Sequence, residues 1–155
     1  IDPGLGTTGF GIISSKNNNL NLVDFGTIKT SPKEPLPKRL KKIFNGITDL
    51  IQKYNPSVFS IEEIFYSNNV KSSLLLGHAR GTSITAAANQ NILIFEYSAK
   101  KVKQSLTGNG NAHKSQVKYM IMKQFDIKNL NCPEDATDAL AIALCHLNQI
   151  KLEEL

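Results

Sequence analysis

The apolar positions of this chain change period several times, and each change marks a new element. Ile1 leads through the turn formers Asp2-Pro3-Gly4 into an apolar run from Gly9 to Ser15, and a second run covers Leu20 to Thr30. The polar connector Lys16-Asn17-Asn18-Asn19 suits a hairpin, so with a first strand ending at Asp2 the pattern predicts a three-stranded antiparallel meander. Pro32, Pro35 and Pro37 then make a link that cannot enter a sheet interior. From about Leu36 to Tyr54, Leu40, Ile43, Phe44, Ile47, Leu50, Ile51 and Tyr54 recur at spacings of three and four, the signature of one buried helical face. Ser57 to Ile61 reads as a short buried strand running into Glu62-Glu63, Val70 to Asn89 as a second helix, and Asn91 to Glu96 as a last strand. A strand, a long helix and another strand imply parallel pairing by a crossover. Shorter helices follow from Ser98 to Leu106 and from Lys114 to Phe125, and Pro133 opens a final one reaching about Leu152. The sum is an α/β fold: a mixed five-stranded sheet, its first three strands antiparallel and the rest parallel, flanked by helices on both faces.

Composition narrows this only slightly. The 155 residues, 41% apolar and 20% charged, fit one domain over 1–155 with a sizeable core. Eighteen Lys and Arg against thirteen Asp and Glu give +5, which suits a polyanionic partner without demanding one. Lys38, Arg39, Lys41 and Lys42 lie mostly off the buried helix face and read as a solvated flank. No apolar run reaches the roughly 18 residues of a membrane span, so a soluble, cytoplasmic protein is expected. Because the chain starts at Ile1 with an acid at position 2, residues before Ile1 are expected to complete the first strand. The two cysteines, Cys132 and Cys145, read as free thiols, and Cys145-His146 as core rather than a metal pair. Gly77 and Gly81, one turn apart on the second helix, admit the close approach of another backbone, from the same chain or from a second subunit.

The candidate chemistry lies in the acids. Asp2 ends the first strand, Glu62 or Glu63 ends the fourth, and Asp135 and Asp138 share a face at the start of the last helix. If the first and fourth strands are adjacent and parallel, their carboxyl ends lie together and the last helix can bring two further acids over them. Two like charges about 4 Å apart repel by roughly 4 kcal/mol at an effective dielectric near 20. Hard divalent cations remove that cost, and oxygen-only ligands suit Mg²⁺ or Mn²⁺. Each acid also has a plainer reading: Asp-Pro-Gly is a turn in any protein, Glu62-Glu63 a strand-end charge pair, and Glu134 and Asp135 favour the positive end of a helix dipole. Asp138 is the exception, because it heads Ala139-Leu140-Ala141-Ile142-Ala143-Leu144, a stretch apolar nearly all round, where an acid needs a partner.

Taken in order, Ile1-Asp2-Pro3-Gly4, Ile61-Glu62-Glu63-Ile64-Phe65, Gly77-His78-Ala79-Arg80-Gly81, Glu96-Tyr97, Val102-Lys103-Gln104, Lys114-Ser115-Gln116-Val117 and Asp135-Ala136-Thr137-Asp138-Ala139-Leu140-Ala141 form a series running nearly end to end. In that order and spacing the chain resembles the RuvC family of bacterial Holliday-junction resolvases, which have the ribonuclease H-like fold. The resemblance implies a homodimeric, Mg²⁺-dependent endonuclease of DNA recombination and repair. Such an enzyme cuts two strands of like polarity symmetrically across a four-way junction and leaves 5′-phosphates. Asp2, Glu62, Asp135 and Asp138 match the family's acidic tetrad, the motif selecting Glu62 over Glu63. Some relatives carry histidine at the last position, where this chain has Asp138. The implied cofactors are two Mg²⁺ ions per site, with Mn²⁺ substituting.

The same resemblance implies that Lys103 and Lys114 meet backbone phosphate near the cut, with Lys114 also offsetting charge in the transition state. It implies that Phe65 stacks on an unpaired base near the crossover, with Tyr66 in the adjoining DNA-probing loop. It further implies a homodimer through the helix carrying Gly77 and Gly81, and a branch-migration complex as partner. Other readings stay open beside it: a ribonuclease H-like nuclease for RNA-DNA hybrids or other branched substrates, a non-catalytic junction-binding module, and an actin- or kinase-like ATP-binding domain whose phosphate loop would use Gly4, Gly6, Thr7, Thr8 and Gly9.

Overall fold

The computed structural model describes residues 1–16, 19–63, 70–128 and 130–153, with side chains through residue 150. Among these, four strands and five helices follow in the order β1 (Thr7–Lys16), β2 (Asn19–Lys29), α1 (Leu36–Tyr54), β3 (Val58–Glu62), α2 (Val70–Ala88), β4 (Leu93–Tyr97), α3 (Ala99–Thr107), α4 (Lys114–Gln124) and α5 (Glu134–Glu153). β1 and β2 pair antiparallel, with a register shift between Ile12 and Ile13, and β3 and β4 pair parallel around the α2 crossover.

The expected five-stranded sheet is not what forms; the described residues make two two-stranded ladders. Ile1 and Asp2 lie between the two ladders. Asp2 makes one antiparallel bridge to Gly9. On its other side the Ile1 nitrogen donates to the Ser60 carbonyl at 2.6 Å, and the Glu62 N–H donates to the Ile1 carbonyl at 3.3 Å. That alternation is the pattern of parallel pairing, so Ile1 runs beside β3 in the direction anticipated. An apolar groove of about 430 Å³ is lined by Phe10 and Ile12 of β1, Ile47 and Ile51 of α1, Phe59 of β3 and Ala143 of α5, among others.

Two apolar clusters give the layers. On one side Ile43, Ile47 and Ile51 of α1 pack with Phe59 and Ile61 of β3 and with Ala79, Ala86 and Ala87 of α2. On the other, Val102 and Leu106 of α3, Val117 and Ile121 of α4 and Leu140, Ile142, Leu144 and Cys145 of α5 form the second core, against which Ile13, Leu22, Phe25 and Tyr97 pack. Burial of α5 explains why its sequence lacks a polar stripe. Neither cysteine is in a disulfide. Among the described residues no helix is long and apolar enough to cross a membrane.

Candidate active site

Strand alternation fixes the direction of the first two acids. Phe59 and Ile61 enter the α1–α2 core, so Glu62, one residue on, faces the opposite side, the side of α5. Ile1 likewise packs in the α1–α2 cluster, which turns Asp2 the same way as Glu62. Glu63 lies past the end of β3, exposed, its N–H donating to the Tyr97 carbonyl at 2.9 Å.

The loop from Asp2 to Gly9 is tied from several directions. Asp2 and Gly9 exchange backbone hydrogen bonds at 3.0 and 2.9 Å, and the fully buried Thr8 hydroxyl donates to the Gly4 carbonyl at 2.8 Å. The Thr30 hydroxyl donates to the Leu5 carbonyl at 2.5 Å and accepts from Arg39 Nε at 2.9 Å. Arg39 thus differs from its lysine neighbours, since it braces this loop while Lys38, Lys41 and Lys42 remain exposed. Across the loop, α5 begins at Glu134 and carries Asp135 and Asp138 on its first turns.

Asp2, Glu62, Asp135 and Asp138, with Lys103, Lys114 and Glu134, line one open cleft of about 510 Å³. Lys103 comes from the middle of α3. Lys114 is the first residue of α4, which a His113–Gln116 capping box starts at that point. Its ammonium donates to Asp138 Oδ2 at 2.8 Å and to Glu134 Oε1 at 2.5 Å. Phe65 and Tyr66 lie outside the described residues.

The electrostatics record the crowding. Burial pushes the Asp2 carboxyl up to about 7, and the charges of Glu62, Asp138 and Asp135 add to the effect. Glu62 is also raised, by burial first and the Asp138 charge second, while a side-chain hydrogen bond with Asp2 and the charge of Lys114 oppose the rise. Both carboxyls of this neighbouring pair are therefore held above the ordinary carboxylate range. Hydrogen bonds to Asp138 and Glu134 raise Lys114, and Lys114 in turn lowers Glu134.

This donor set is all oxygen and suits a hard divalent cation. Among the described residues, however, no three acidic, His or Cys groups already close on a common point. Holding a cation here requires Asp2 and Glu62 in their ionised form and the Lys114 ammonium turned away from Asp138. Both are side-chain changes within a cleft that is already open.

Two contacts were not legible in the sequence. Glu134 has a partner across the cleft as well as its place at a helix N-terminus, and only the approach of α4 to α5 reveals it. Arg80 of α2 donates from Nε to the Glu62 carbonyl at 3.1 Å and pairs with the Glu96 carboxylate. The one signal for Arg80 was its place in the Gly77–Gly81 motif.

Fold and cleft together define the class: a mixed α/β protein of ribonuclease H-like architecture with an acidic cleft at the end of a parallel strand pair. Residues 1–146 match the family described as Crossover junction endodeoxyribonuclease RuvC. A Crossover junction endodeoxyribonuclease RuvC from Alkaliphilus oremlandii is 42% identical over 155 residues, covering 100% of this chain and 94% of the relative. The Thermus thermophilus RuvC structure superposes with a TM-score of 0.91 at 29% identity, over 99% of this chain and 94% of that one. T. thermophilus RuvC in complex with Holliday junction substrate gives 0.92 at 29% identity, over 99% and 93%. The chain belongs to the RuvC family.

Proposed function

We propose that this protein is a Holliday-junction resolvase, an endonuclease that hydrolyses phosphodiester bonds symmetrically in four-way DNA junctions during recombination and repair. The observation that carries the reading is the convergence of Asp2, Glu62, Asp135 and Asp138, from three separated parts of the chain, on one open cleft flanked by Lys103 and Lys114. Family membership and the likeness to a relative held on a Holliday junction support it.

In this reading the four carboxylates would hold two Mg²⁺ ions, with Mn²⁺ able to substitute. When bound, such ions supply Lewis acidity and an activated water. Asp2 and Glu62 would serve as ligands in their ionised form, with Asp135 and Asp138 facing them from α5. Lys114, leaving Asp138, stays within reach of the phosphate and offsets charge on it, while Lys103 neutralises backbone phosphate along the cleft. Phe65 stacks on an unpaired base at the crossover, with Tyr66 beside it. Gly77 and Gly81 are exposed on α2, with open space above each, and Leu74 is 61% exposed beside them. That face pairs two copies so that two sites meet the junction together, and the dimer works with a branch-migration complex.

The test is incubation with a synthetic immobile four-way junction, alongside matched duplex, fork and RNA-DNA hybrid, with and without Mg²⁺. Paired nicks in the junction, dependent on Mg²⁺ and absent from duplex, are expected. Equal or preferential cutting of the hybrid would replace the junction reading with a ribonuclease one, and no Mg²⁺-dependent cutting of any substrate would remove both. A thermal shift with ATP, expected to be nil, disposes of the actin-like alternative.

A further inference from the structure

Arg80 lies outside the acidic cleft yet reaches the backbone of one of its acids. It projects from α2, its side chain about one-fifth exposed, and donates to the carbonyl of Glu62, the last residue of β3. The same guanidinium pairs with the carboxylate of Glu96 on β4. Glu96 is registered opposite Ile61, and Glu62 opposite Tyr97, so one arginine ties the ends of both parallel strands to α2. At that point the ladder runs out: the Glu62 N–H is given to Ile1 and the Glu63 N–H to Tyr97.

The contact is to the main chain: Arg80 Nε donates to the Glu62 carbonyl and not to its carboxylate. Its leverage is therefore geometric rather than electrostatic. Glu62 is the terminal residue of a five-residue strand, where fraying is expected first. Its carboxylate direction follows from the peptide plane that Arg80 holds. A guanidinium suits the task because its rigid fork can serve a carbonyl and a carboxylate at once.

We propose that Arg80 is a positioning residue for the cleft: by clamping the Glu62 carbonyl against α2 it aims the Glu62 carboxylate at the other acids. The inference rests on the junction-resolvase reading of that cleft. Because α2 also carries the exposed Gly77–Gly81 face, the clamp links that face to the acid by one side chain.

The test compares wild type, Arg80→Ala, Arg80→Lys and, as a reference for the cleft itself, Asp2→Asn. Five quantities are measured: turnover at saturating four-way junction, junction affinity without divalent metal, Mn²⁺ binding by calorimetry without DNA, mass in solution and melting temperature. Loss of an outer partner that orients a ligand typically costs about 10- to 100-fold in metal affinity or activity. Arg80→Ala is expected to lose that much turnover and to bind Mn²⁺ more weakly, with junction affinity and mass unchanged. Arg80→Lys, which can still serve one acceptor, is expected to recover part of both losses. Unchanged turnover and Mn²⁺ binding in Arg80→Ala would overturn the proposal. So would a fall in junction affinity matching the fall in rate, which would make Arg80 a DNA contact, or a change in mass, which would make the effect one of assembly. Equal losses in Arg80→Lys and Arg80→Ala, with lowered melting temperature in both, would reduce the residue to a structural prop. If wild type itself cuts nothing, or Asp2→Asn cuts as well as wild type, the reading of the cleft fails instead.

Discussion

Gly9 lies directly against the backbone carbonyl of Asp135, so near that a methyl group on Gly9 would overlap that oxygen. The same glycine is the bridge partner of Asp2. A single position without a side chain thus sets the distance between two acids that are 133 positions apart in the chain (135 − 2). Gly11, two residues on, meets the Leu140 side chain of the same helix.

Gly9→Ala is expected to push the start of α5 off β1 and to spread the cleft. Overpacking of this kind costs typically about 1–3 kcal/mol, measurable by urea unfolding, and turnover should fall well beyond what that destabilisation explains. Gly11→Ala is the comparison: its added methyl would meet the Leu140 side chain and, at 3.0 Å, the Leu140 Cα, more than a turn farther along α5 than Asp135. It should lose stability with much less loss of turnover.

Asp2→Asn is expected to abolish junction cleavage while leaving junction affinity within about 2-fold, since affinity rests on basic groups and shape. The loss should exceed the roughly 10- to 100-fold typical of an outer partner. A gel-shift assay without divalent metal, run beside a cleavage assay with Mg²⁺, checks both halves.

The raised carboxyl of Asp2 makes stability depend on pH in the sense opposite to a salt-bridged acid. Burial lifts this carboxyl in the folded chain to about 7, whereas in the unfolded chain it titrates near its ordinary 3.8. Between those values the native state binds more protons than the unfolded one, so the group's contribution is greatest at low pH and is lost as pH rises toward 7. Burial-driven elevation of Glu62 acts in the same direction. Melting temperatures across pH 4 to 8 in chelator should show this fall superimposed on other titrations, and Asp2→Asn should flatten it. Mg²⁺, which favours the ionised acids, should recover stability most at the upper end.

Lys114→Met removes the cation that stands between Asp138 and Glu134. In the proposed enzyme, loss of a donor aimed at developing charge costs about 10²–10³ in kcat, and junction affinity should change far less. Single-turnover kinetics at saturating enzyme separate the two.

The sequence by itself determined, among the described residues, the five helices and four of the five expected strands, in their order. The three-and-four spacing of Leu40 through Tyr54 marked α1 at Leu36–Tyr54, and the near-continuous apolar run after Asp138 marked α5 as buried. These are local signals, written in the period of burial, and they need no partner to be read. The choice of Glu62 over Glu63 came from motif resemblance, and its physical reason appears only with the fold: Ile61 is committed to the α1–α2 core, so the next residue must face α5. The tertiary structure alone decided that Ile1 and Asp2 pair on both sides, with Gly9 and with β3, and that Glu134 shares Lys114 with Asp138. It alone brought Arg80 to the Glu62 carbonyl and the bare Gly9 to Asp135. Each of these is a contact between segments distant in sequence, fixed by which faces meet when the layers close, and no local periodicity encodes a distance across two packed elements.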